Sequence, residues 1–367
     1  MAHGDHLRLT GAHPMNDDES VLLHTEGHIL HITLNRPRAL NALTHSMVRI
    51  IDEALDQAAG DDAVVAVLIS GAGERGLCAG GDIRSIYEDA RAGRRASVDF
   101  WRDEYRLNAR IARFPKPYVA LMDGLVMGGG VGVSAHGDIR VVTERSRVAM
   151  PETGIGFVPD VGGTRLLATA PGELGTHLAL TGRTVDAAGA LLCGLADHFV
   201  PSHRLPDLVQ TLSRCAAPAE VTETVRRYAT QAPDAELAAH RAWIDRCYTA
   251  GTVEEIIERL ADDGAPEAGQ TARELLALPP TSLKVTLEAV RRARRLDSLE
   301  AALDQEFRVS CRAFDGHDLV EGVRARIIDK DRSPTWDPAR LGDVTADEVA
   351  RHFQPLGERE LGLAPAP

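Results

Sequence analysis

The alternation of apolar and polar positions predicts that the chain begins with strands. Residues 21–34 contain two short apolar runs on either side of Glu26-Gly27, a pair typical of a hairpin turn. Residues 63–70 form a continuous valine-rich run, which indicates a strand covered on both faces. Further buried strands are predicted at residues 118–121 and 139–143. Because glycine-rich loops and helical patterns follow these strands, the first part of the chain is predicted to be an α/β unit.

Helical spacing replaces the strand pattern after about residue 205. Residues 282–295 and 299–314 carry apolar positions at helical spacing, and Ser298 is placed to cap the second of these helices with its hydroxyl. Residues 321–330 predict a last short helix, and the chain beyond it is expected to be poorly packed.

The stretch of residues 127–164 has the most unusual composition. Residues 128–130 are all glycine, so their backbone N–H groups can come within hydrogen-bond distance of a ligand oxygen. An apolar, strand-like segment follows, and then a loop rich in glycine and proline that holds the carboxylates Glu152 and Asp160. Backbone donors followed by preplaced carboxylates suggest an enzyme that acts on a carbonyl whose oxygen becomes negative.

A second glycine-rich loop, residues 71–82, also follows a buried strand. If the two loops lie side by side, the amides of Gly81 and Gly129 could point at one oxygen and form an oxyanion hole. The pattern alone supports structural turns equally well. Neither loop has the GK[ST] ending of a P-loop or the GxGxxG spacing of a dinucleotide fold, so nucleotide hydrolysis and hydride transfer lose support.

The two carboxylates allow two interpretations. In the structural one, which spacing alone favours, Asp160 caps a helix that starts near Gly162 and Glu152 is solvated. In the functional one, they form a general base or nucleophile with a second acid that positions water. His136, in an apolar run, is more typical of a hydrogen-bonded core residue than of a catalyst. Cys78 is interpreted as a packing residue, because no nearby group would lower its pKa.

Composition excludes several functional classes. The 367 residues carry a net charge of −13, which argues against general nucleic-acid binding. No apolar run approaches the roughly 20 residues that span a bilayer, so no membrane association is expected. The five cysteines are widely spaced without a CxxC pair, which predicts reduced thiols and no metal site. With an acidic N-terminus that lacks a signal-peptide core, these features predict a cytoplasmic protein with a disordered tail over residues 1–20.

Several segments together resemble the enoyl-CoA hydratase/isomerase (crotonase) superfamily and, within it, the 3-hydroxyisobutyryl-CoA hydrolases. The likeness covers roughly residues 21–345 and is far more specific than any single motif. The segments that carry it are NRPRALNAL (35–43), LCAGGDIR (77–84), EYRLN (104–108), KPYVALMDGLVMGGGVGVSAHG (116–137), MPETGIGFVPDVGG (150–163), PTSLKVT (280–286) and GHDLVEGVRARIIDKDRSPTW (316–336).

The resemblance implies a crotonase fold, in which repeated β-β-α turns surround a spiral core and helices follow at the C-terminus. On this basis the domains are expected to be a tail (1–20), a crotonase core (21–205), a helical region packed on it (206–340) and a second tail (341–367). Relatives commonly form trimers or hexamers, so a homo-oligomer is an option, although the longer C-terminal region here could cover those surfaces.

The resemblance also implies a coenzyme A thioester substrate whose carbonyl lies in an oxyanion hole formed by the amides of Gly81 and Gly129. No cofactor or metal is implied, since coenzyme A is part of the substrate. The acyl pocket is expected to include Tyr105, Asn108 and His136. The positions expected to hold coenzyme A are Arg38, Ala39, Leu40, Ala79, Gly80, Asp82, Ile83 and Gly128.

Two acidic residues, Glu152 and Asp160, distinguish the hydrolases from the hydratases of this superfamily. Hydratases of this superfamily resemble the chain at Glu152 but carry a second glutamate where this sequence has Gly132, and they usually have glycine at the position of Asp160. The Glu152/Asp160 pair resembles the hydrolase arrangement and implies thioester hydrolysis. The expected substrate is 3-hydroxyisobutyryl-CoA of valine breakdown, with 3-hydroxypropionyl-CoA as a second option. Hydration or isomerisation of an enoyl-CoA is the alternative, and a noncatalytic acyl-CoA-binding protein is a third, disfavoured by retention of both acids and both loops.

Overall fold

The computed structural model describes residues 20–364. The tail predicted over residues 1–20 therefore lies outside the described residues, except for Ser20. Two sheets and a large set of helices make up the described part. Its strands are β1 (Val21–Glu26), β2 (Ile29–Leu34), β3 (Ala66–Gly71), β4 (Gly76–Cys78), β5 (Tyr118–Met122), β6 (Leu125–Met127), β7 (Ile139–Val142), β8 (Arg147–Ala149) and β9 (His198–Phe199).

Helices fill the segments between the strands and almost all of the chain after β9. The α-helices are α1 (His45–Gly60), α2 (Ile83–Arg91), α3 (Ala96–Ala112), α4 (Gly129–Gly132), α5 (Gly163–Ala168), α6 (Leu174–Thr181), α7 (Ala187–Leu192), α8 (Leu205–Leu212), α9 (Pro218–Tyr228), α10 (Glu236–Tyr248), α11 (Val253–Asp262), α12 (Pro266–Leu275), α13 (Pro280–Ala293), α14 (Leu299–Phe314), α15 (Asp318–Val323) and α16 (Ala346–His352). A π-helical turn, Arg324–Ile328, directly continues α15.

The strands form a large sheet in the order β1-β2-β3-β5-β7-β9 and a small sheet in the order β4-β6-β8. Only the β1–β2 hairpin is antiparallel among the described pairs, and all the others are parallel. Successive pairs, β3 with β4, β5 with β6 and β7 with β8, place one strand in each sheet before the chain turns into a helix. This is the repeated β-β-α arrangement that the resemblance implies.

The central strands of the large sheet are buried because apolar residues cover both of their faces, whereas the edge strand β1 is largely exposed. One core cluster, which includes Ile32, Ile69 and Phe307, joins the sheet to α1, α3 and the C-terminal helices. A second cluster, which includes Leu68 and Val141, packs the opposite face against α8 and α9. The valine-rich run at residues 63–70 therefore contains most of a two-sided strand, β3, which begins at Ala66, three residues later than predicted.

Several predicted elements are confirmed by the structure. The hairpin is present, with its turn at Gly27-His28, one residue after the predicted Glu26-Gly27, and α13 and α14 lie close to their predicted ranges. The Ser298 hydroxyl caps α14 by accepting a hydrogen bond from the Ala301 N–H at 3.1 Å. The boundary expected near residue 205 coincides with the change from strands to helices, but its status as a domain boundary stays a prediction.

Two expectations are wrong. The segment after the three glycines is not strand-like: α4 and a following turn occupy it, because the glycines allow the chain to turn tightly at Gly128 (φ +50°). The region from residue 341 is not a poorly packed tail either. It contains α16, whose capping box is formed by Thr345 and Glu348, and it buries Phe353 and Leu361. Residues 365–367 of that predicted tail lie outside the described range.

No helix in the described part of the chain is long and apolar enough to cross a membrane. Among the same residues, no group of three or more histidine, cysteine or acidic side chains is arranged to hold a metal ion.

Candidate active site

The three parallel strands of the small sheet have their carboxyl ends at one cavity. The loop after β4 carries Gly80 and Gly81, the loop after β6 carries Gly128 and Gly129, and the segment after β8 carries Glu152. The cavity has a volume of about 290 Å³. Its lining consists of Ala79, Gly80, Gly81, Ile83, Ile86, Phe100, Trp101, Glu104, Gly128, Gly129, Pro151, Glu152, Ile155, Phe157, Asp160, Leu319, Arg326 and Ile327.

The two glycine loops lie side by side, as the sequence prediction required. A Cβ atom placed on Gly129 would lie 3.3 Å from the backbone N of Gly81. Gly80 has φ +113° and Gly128 has φ +50°, conformations that residues with side chains rarely adopt. Within the described chain, the amides of Gly81 and Gly129 have no hydrogen-bond acceptor. Both amides are therefore available to a ligand oxygen in the cavity.

Glu152 is buried beside the second of these loops. It begins the short 3₁₀ helix Glu152–Ile155 and is 8% exposed, so the interpretation as a solvated side chain is wrong. Its Oε1 atom lies 2.6 Å from the position of a Cβ on Gly128, and its Oε2 atom has no hydrogen-bond partner. Burial first, and then the charge of Asp160, raise the pKa of Glu152 well above its usual value.

Asp160 is held by a hydroxyl and not used as a cap. Its Oδ2 atom accepts a 2.7 Å hydrogen bond from the Tyr105 hydroxyl, which also lies 2.8 Å from the Ser310 hydroxyl. Burial raises the pKa of Asp160 to about 7, and the Tyr105 bond opposes this shift. The cap that spacing alone assigned to Asp160 is supplied by Glu306 of α14, which accepts from the amide of Gly162 at 2.6 Å.

A third carboxyl group, Glu104 of α3, was missed by the sequence analysis. It is 2% exposed, lines the same cavity, and its Oε1 atom has no hydrogen-bond partner. That atom lies 2.6 Å from the position of a Cβ on Gly129, so Glu104 and Glu152 face consecutive glycines. Burial, and then the charge of Asp160, raise the pKa of Glu104 well above its usual value. The signal was an acid on the apolar face of α3, at helical spacing from Trp101 and Asn108.

The position of the hydratases' second glutamate is closed in this structure. A Cβ on Gly132 would lie 2.8 Å from Cβ of Val161 and 2.9 Å from Nδ2 of Asn108. Both contacts are closer than real Cβ atoms make, so a larger residue requires the surroundings to shift. Asn108 is fully buried and its amide has no partner in the described structure.

The three residues assigned to the acyl pocket do not line the cavity. Tyr105 lies behind Asp160, and Asn108 lies behind Gly132. His136 supports the loop, since its Nε2 lies 2.7 Å from the Val161 carbonyl oxygen, and burial lowers its pKa to about 4. Tyr105 contacts the lining residue Asp160, whereas Asn108 and His136 contact Gly132 and Val161, which do not line the cavity. Their assignment to the acyl pocket stays a prediction.

The expected coenzyme A residues divide into two groups. Ala79, Gly80, Ile83 and Gly128 line the cavity. The segment Arg38–Leu40 and Asp82 do not. The Ala79 amide donates to the Leu40 carbonyl at 3.0 Å, so the two segments are neighbours. Arg38 itself is exposed.

Two side chains near the loops have structural roles. Asp82 forms a 2.9 Å ion pair with Arg36, and so it is turned away from the cavity. Cys78 is fully buried and burial raises the pKa of its thiol to about 12, which agrees with its interpretation as a packing residue.

Comparison with known proteins identifies the family. A family model described as "Enoyl-CoA hydratase/isomerase" matches residues 29–353. The chain belongs to the enoyl-CoA hydratase/isomerase family. A curated family member from Danio rerio, named "3-hydroxyisobutyryl-CoA hydrolase, mitochondrial", is 45% identical over 339 residues, which cover 90% of this chain and 88% of the relative.

Two solved structures of the family are close in fold. The carnitinyl-CoA dehydratase from Mycobacterium thermoresistibile is 50% identical with a TM-score of 0.90, and the match covers 94% of this chain and 98% of the other. The enoyl-CoA hydratase from Rhodobacter sphaeroides is 44% identical with a TM-score of 0.88, covering 94% and 99%. The expected crotonase fold is thereby confirmed, whereas the names of these relatives describe different reactions.

The prediction of a cytoplasmic protein is wrong by this comparison, because the Danio rerio relative is named a mitochondrial protein. The prediction rested on free cysteines and on the composition of the N-terminus. Free thiols persist in any reducing compartment, so they did not distinguish the cytosol from another such compartment.

Proposed function

We propose that the protein hydrolyses a short-chain 3-hydroxyacyl-CoA thioester, converting 3-hydroxyisobutyryl-CoA into 3-hydroxyisobutyrate and coenzyme A in valine breakdown. The name of the Danio rerio relative supports the substrate. The observation that carries the reaction type is the closed position at Gly132, combined with Asp160 in the cavity. Hydration in this family uses a glutamate at the position of Gly132, and a side chain there requires Val161 and Asn108 to shift.

In the proposed mechanism the thioester oxygen accepts hydrogen bonds from the amides of Gly81 and Gly129. Negative charge on that oxygen grows as the tetrahedral intermediate forms, and the two donors are already oriented for it. One such donor typically contributes about 3 kcal/mol to the transition state. Both amides lack an internal acceptor, which supports this role.

Glu152 is the proposed base or nucleophile. Two observations support this role: its Oε2 atom has no hydrogen-bond partner, and its carboxyl group lies beside Gly128, the residue before the proposed donor Gly129. In the first route Glu152 takes a proton from water, which attacks the thioester carbon. In the second, its carboxylate attacks directly and water hydrolyses the resulting anhydride. Coenzyme A leaves as a thiolate in both, a good leaving group that needs no strong acid.

Asp160 and Glu104 complete the proposed acid cluster. Asp160, fixed by Tyr105, orients the water or holds the proton that Glu152 exchanges. Burial and the charge of Asp160 raise the pKa of Glu104, which favours the protonated carboxyl group as a hydrogen-bond donor. We assign it to the 3-hydroxyl of the acyl group, because its free Oε1 lies beside Gly129 inside the cavity.

The test follows thiol release from 3-hydroxyisobutyryl-CoA, with hydration of crotonyl-CoA measured in parallel. Rapid thiol release without hydration is the expected result. Hydration without thiol release would refute the proposal and identify a hydratase. A quenched reaction analysed by mass spectrometry then separates the two routes, since only the nucleophilic one acylates Glu152.

The alternative, hydration or dehydration of an acyl-CoA, has one specific observation in its favour. Glu104 and Glu152 both present partnerless oxygens to the cavity and could act as the pair of acids that hydration needs. The names of the two solved relatives point in the same direction. If the protein hydrates crotonyl-CoA and both Glu104→Gln and Glu152→Gln abolish that activity, the hydratase function would be established.

A further inference from the structure

The electrostatics of the cavity raise a question about substrate binding. Three carboxyl groups line it, and the whole chain carries a net charge of −13. Coenzyme A is itself strongly anionic because of its phosphate groups, so the substrate must approach a surface of like charge. A local cation near the cavity would offset this repulsion.

Arg326 is the one basic side chain among the described residues that line the cavity. It lies on the π-helical turn, and its Nη1 atom is 3.2 Å from the position of a Cβ on Gly154. It therefore lies over the 3₁₀ helix that begins at Glu152. Its side chain is exposed at the rim, and within the described structure its guanidinium has no hydrogen-bond acceptor or ion-pair partner.

Arg332 adds a second positive charge beside it. The Arg332 amide donates to the Ala325 carbonyl at 3.0 Å, so the chain after the π-helical turn folds back next to Arg326. Partial burial of the exposed Arg326 side chain, and then the positive charge of Arg332, lower the pKa of Arg326. Arg332 also lacks an acceptor for its side chain in residues 20–364.

The acids of this segment do not neutralise the two arginines. Arg324, in the same turn, pairs with Glu321, Asp329 and Asp331. The segment thus has one arginine with three acidic partners and two arginines with none. Two like charges without a counterion, one of them at the rim of a cavity, are the arrangement that an anionic ligand group stabilises.

We propose that Arg326, supported by Arg332, binds a phosphate group of coenzyme A at the mouth of the cavity. This inference rests on the proposed function, because it takes an acyl-CoA as the substrate. It places the anion-binding part of the site on the C-terminal region and not on Arg38, which lies outside the cavity lining.

The test compares two thioesters of 3-hydroxyisobutyrate, one with coenzyme A and one with N-acetylcysteamine, which lacks phosphates. Arg326→Gln is expected to raise KM for the coenzyme A ester by about 10- to 100-fold, the range for a hydrogen bond to a charged group. The kcat for this ester and the kcat/KM for the N-acetylcysteamine ester are expected to stay within about twofold of wild type. Arg332→Gln is expected to have the same pattern with a smaller effect.

Arg214→Gln is the matched control, since it removes the same charge from an exposed arginine outside the cavity lining. An equal fall in kcat/KM for both esters would overturn the proposal, because it would mean that Arg326 acts on the acyl group or on the helix of Glu152. An unchanged KM for the coenzyme A ester would overturn it as well.

A binding measurement separates this inference from the proposed function. The affinity for free coenzyme A, measured by calorimetry, needs no turnover. Weaker binding by Arg326→Gln than by wild type and Arg214→Gln supports the subsite even if no thioester is hydrolysed. Equal affinities would refute it even if hydrolysis is observed.

Discussion

The strand-rich first half and the helical second half contribute different things to the site. The ends of β4, β6 and β8 supply the glycine amides and Glu152, and these groups are adjacent because parallel strands of one sheet end at one edge. The C-terminal helices supply Glu306, Ser310 and Arg326, none of which is near the loops in sequence. The reacting groups thus come mainly from the first region, and their fixed positions depend on the second.

The loop of residues 160–164 is where the two regions meet. Glu306 accepts hydrogen bonds from the amides of Gly162 and Thr164, and it also pairs with the Thr164 hydroxyl. Ser310, one turn later on the same helix, contacts the hydroxyl of Tyr105 that holds Asp160. The orientation of Asp160, which belongs to the strand-rich region, is therefore set by Glu306 and Ser310 of the helical region.

Glu152→Gln should have the largest effect if the first region carries the chemistry. A glutamine can neither accept the proton of water nor attack the thioester, so kcat is expected to fall by about 10³-fold or more. Steady-state thiol release measures it. Glu258→Gln, an exposed glutamate of α11, is the matched control. Retention of more than a tenth of the activity would rule out the assigned role of Glu152.

Asp160→Asn should reduce kcat by about 10²-fold and, at the same time, stabilise the protein at alkaline pH. The pKa of Asp160 is about 7 in the folded protein and about 4 when unfolded, so the folded state binds more protons between these values. Stability contributed by this group is therefore lost as pH rises through 7. Urea unfolding of variant and wild type at pH 5 and pH 8 measures this stabilisation. Equal free energies of unfolding for the two proteins at pH 8 would contradict the prediction.

Glu306→Gln tests whether the second region fixes the loop. The variant leaves one of two amides with a weaker or missing acceptor, so the free energy of unfolding should fall by about 1–3 kcal/mol, with a parallel loss of activity. Urea denaturation and thiol release measure the two effects. If stability falls while kcat is unchanged, Glu306 supports the fold without orienting the acid.

Gly132→Ala sharpens the argument against hydration. The added methyl group would meet Val161 at 2.8 Å, so a loss of about 1–3 kcal/mol in the free energy of unfolding is expected. Gly264→Ala is the control, since a Cβ there has no neighbour within 4 Å. Equal stability of the two variants would show that the pocket at Gly132 can open, and with it the space for a second glutamate.

Tyr105→Phe should have the smallest effect, about tenfold or less in kcat. The phenylalanine keeps the packing but removes the 2.7 Å hydrogen bond that lowers the pKa of Asp160. The activity that depends on ionised Asp160 should consequently move to higher pH. A pH profile of kcat/KM detects the shift, and an unshifted profile would mean that the bond does not control this acid.

The local part of this architecture could be predicted from the sequence. The hairpin, the buried strands and the cap of Ser298 depend on contacts within a few residues, which hydrophobic spacing and turn chemistry report directly. The segment after the glycines was predicted to be strand-like because Val131 and Val133 have strand propensity. In the structure, Gly128 has a positive φ and a short helix begins directly after it.

The site required more than local pattern. The residue pattern alone could not show that Gly81 and Gly129 are close to each other. Only the family resemblance implied that their amides form one oxyanion hole. Helical spacing puts Glu104 on the apolar face of α3, but it does not show that this face borders a cavity. Glu104 went unassigned because that cavity is formed by elements far apart in sequence.

The sequence by itself determined the order of elements, the family resemblance and the residue types that could act on a carbonyl. Only the tertiary structure decided which of them meet: it removed Asp160 from its role as a cap, gave that role to Glu306, and brought Arg326 to the cavity rim. The physical reason is that caps, pKa values and charge pairing depend on distance and burial. Those quantities arise between segments more than 100 residues apart, where hydrophobic periodicity carries no information.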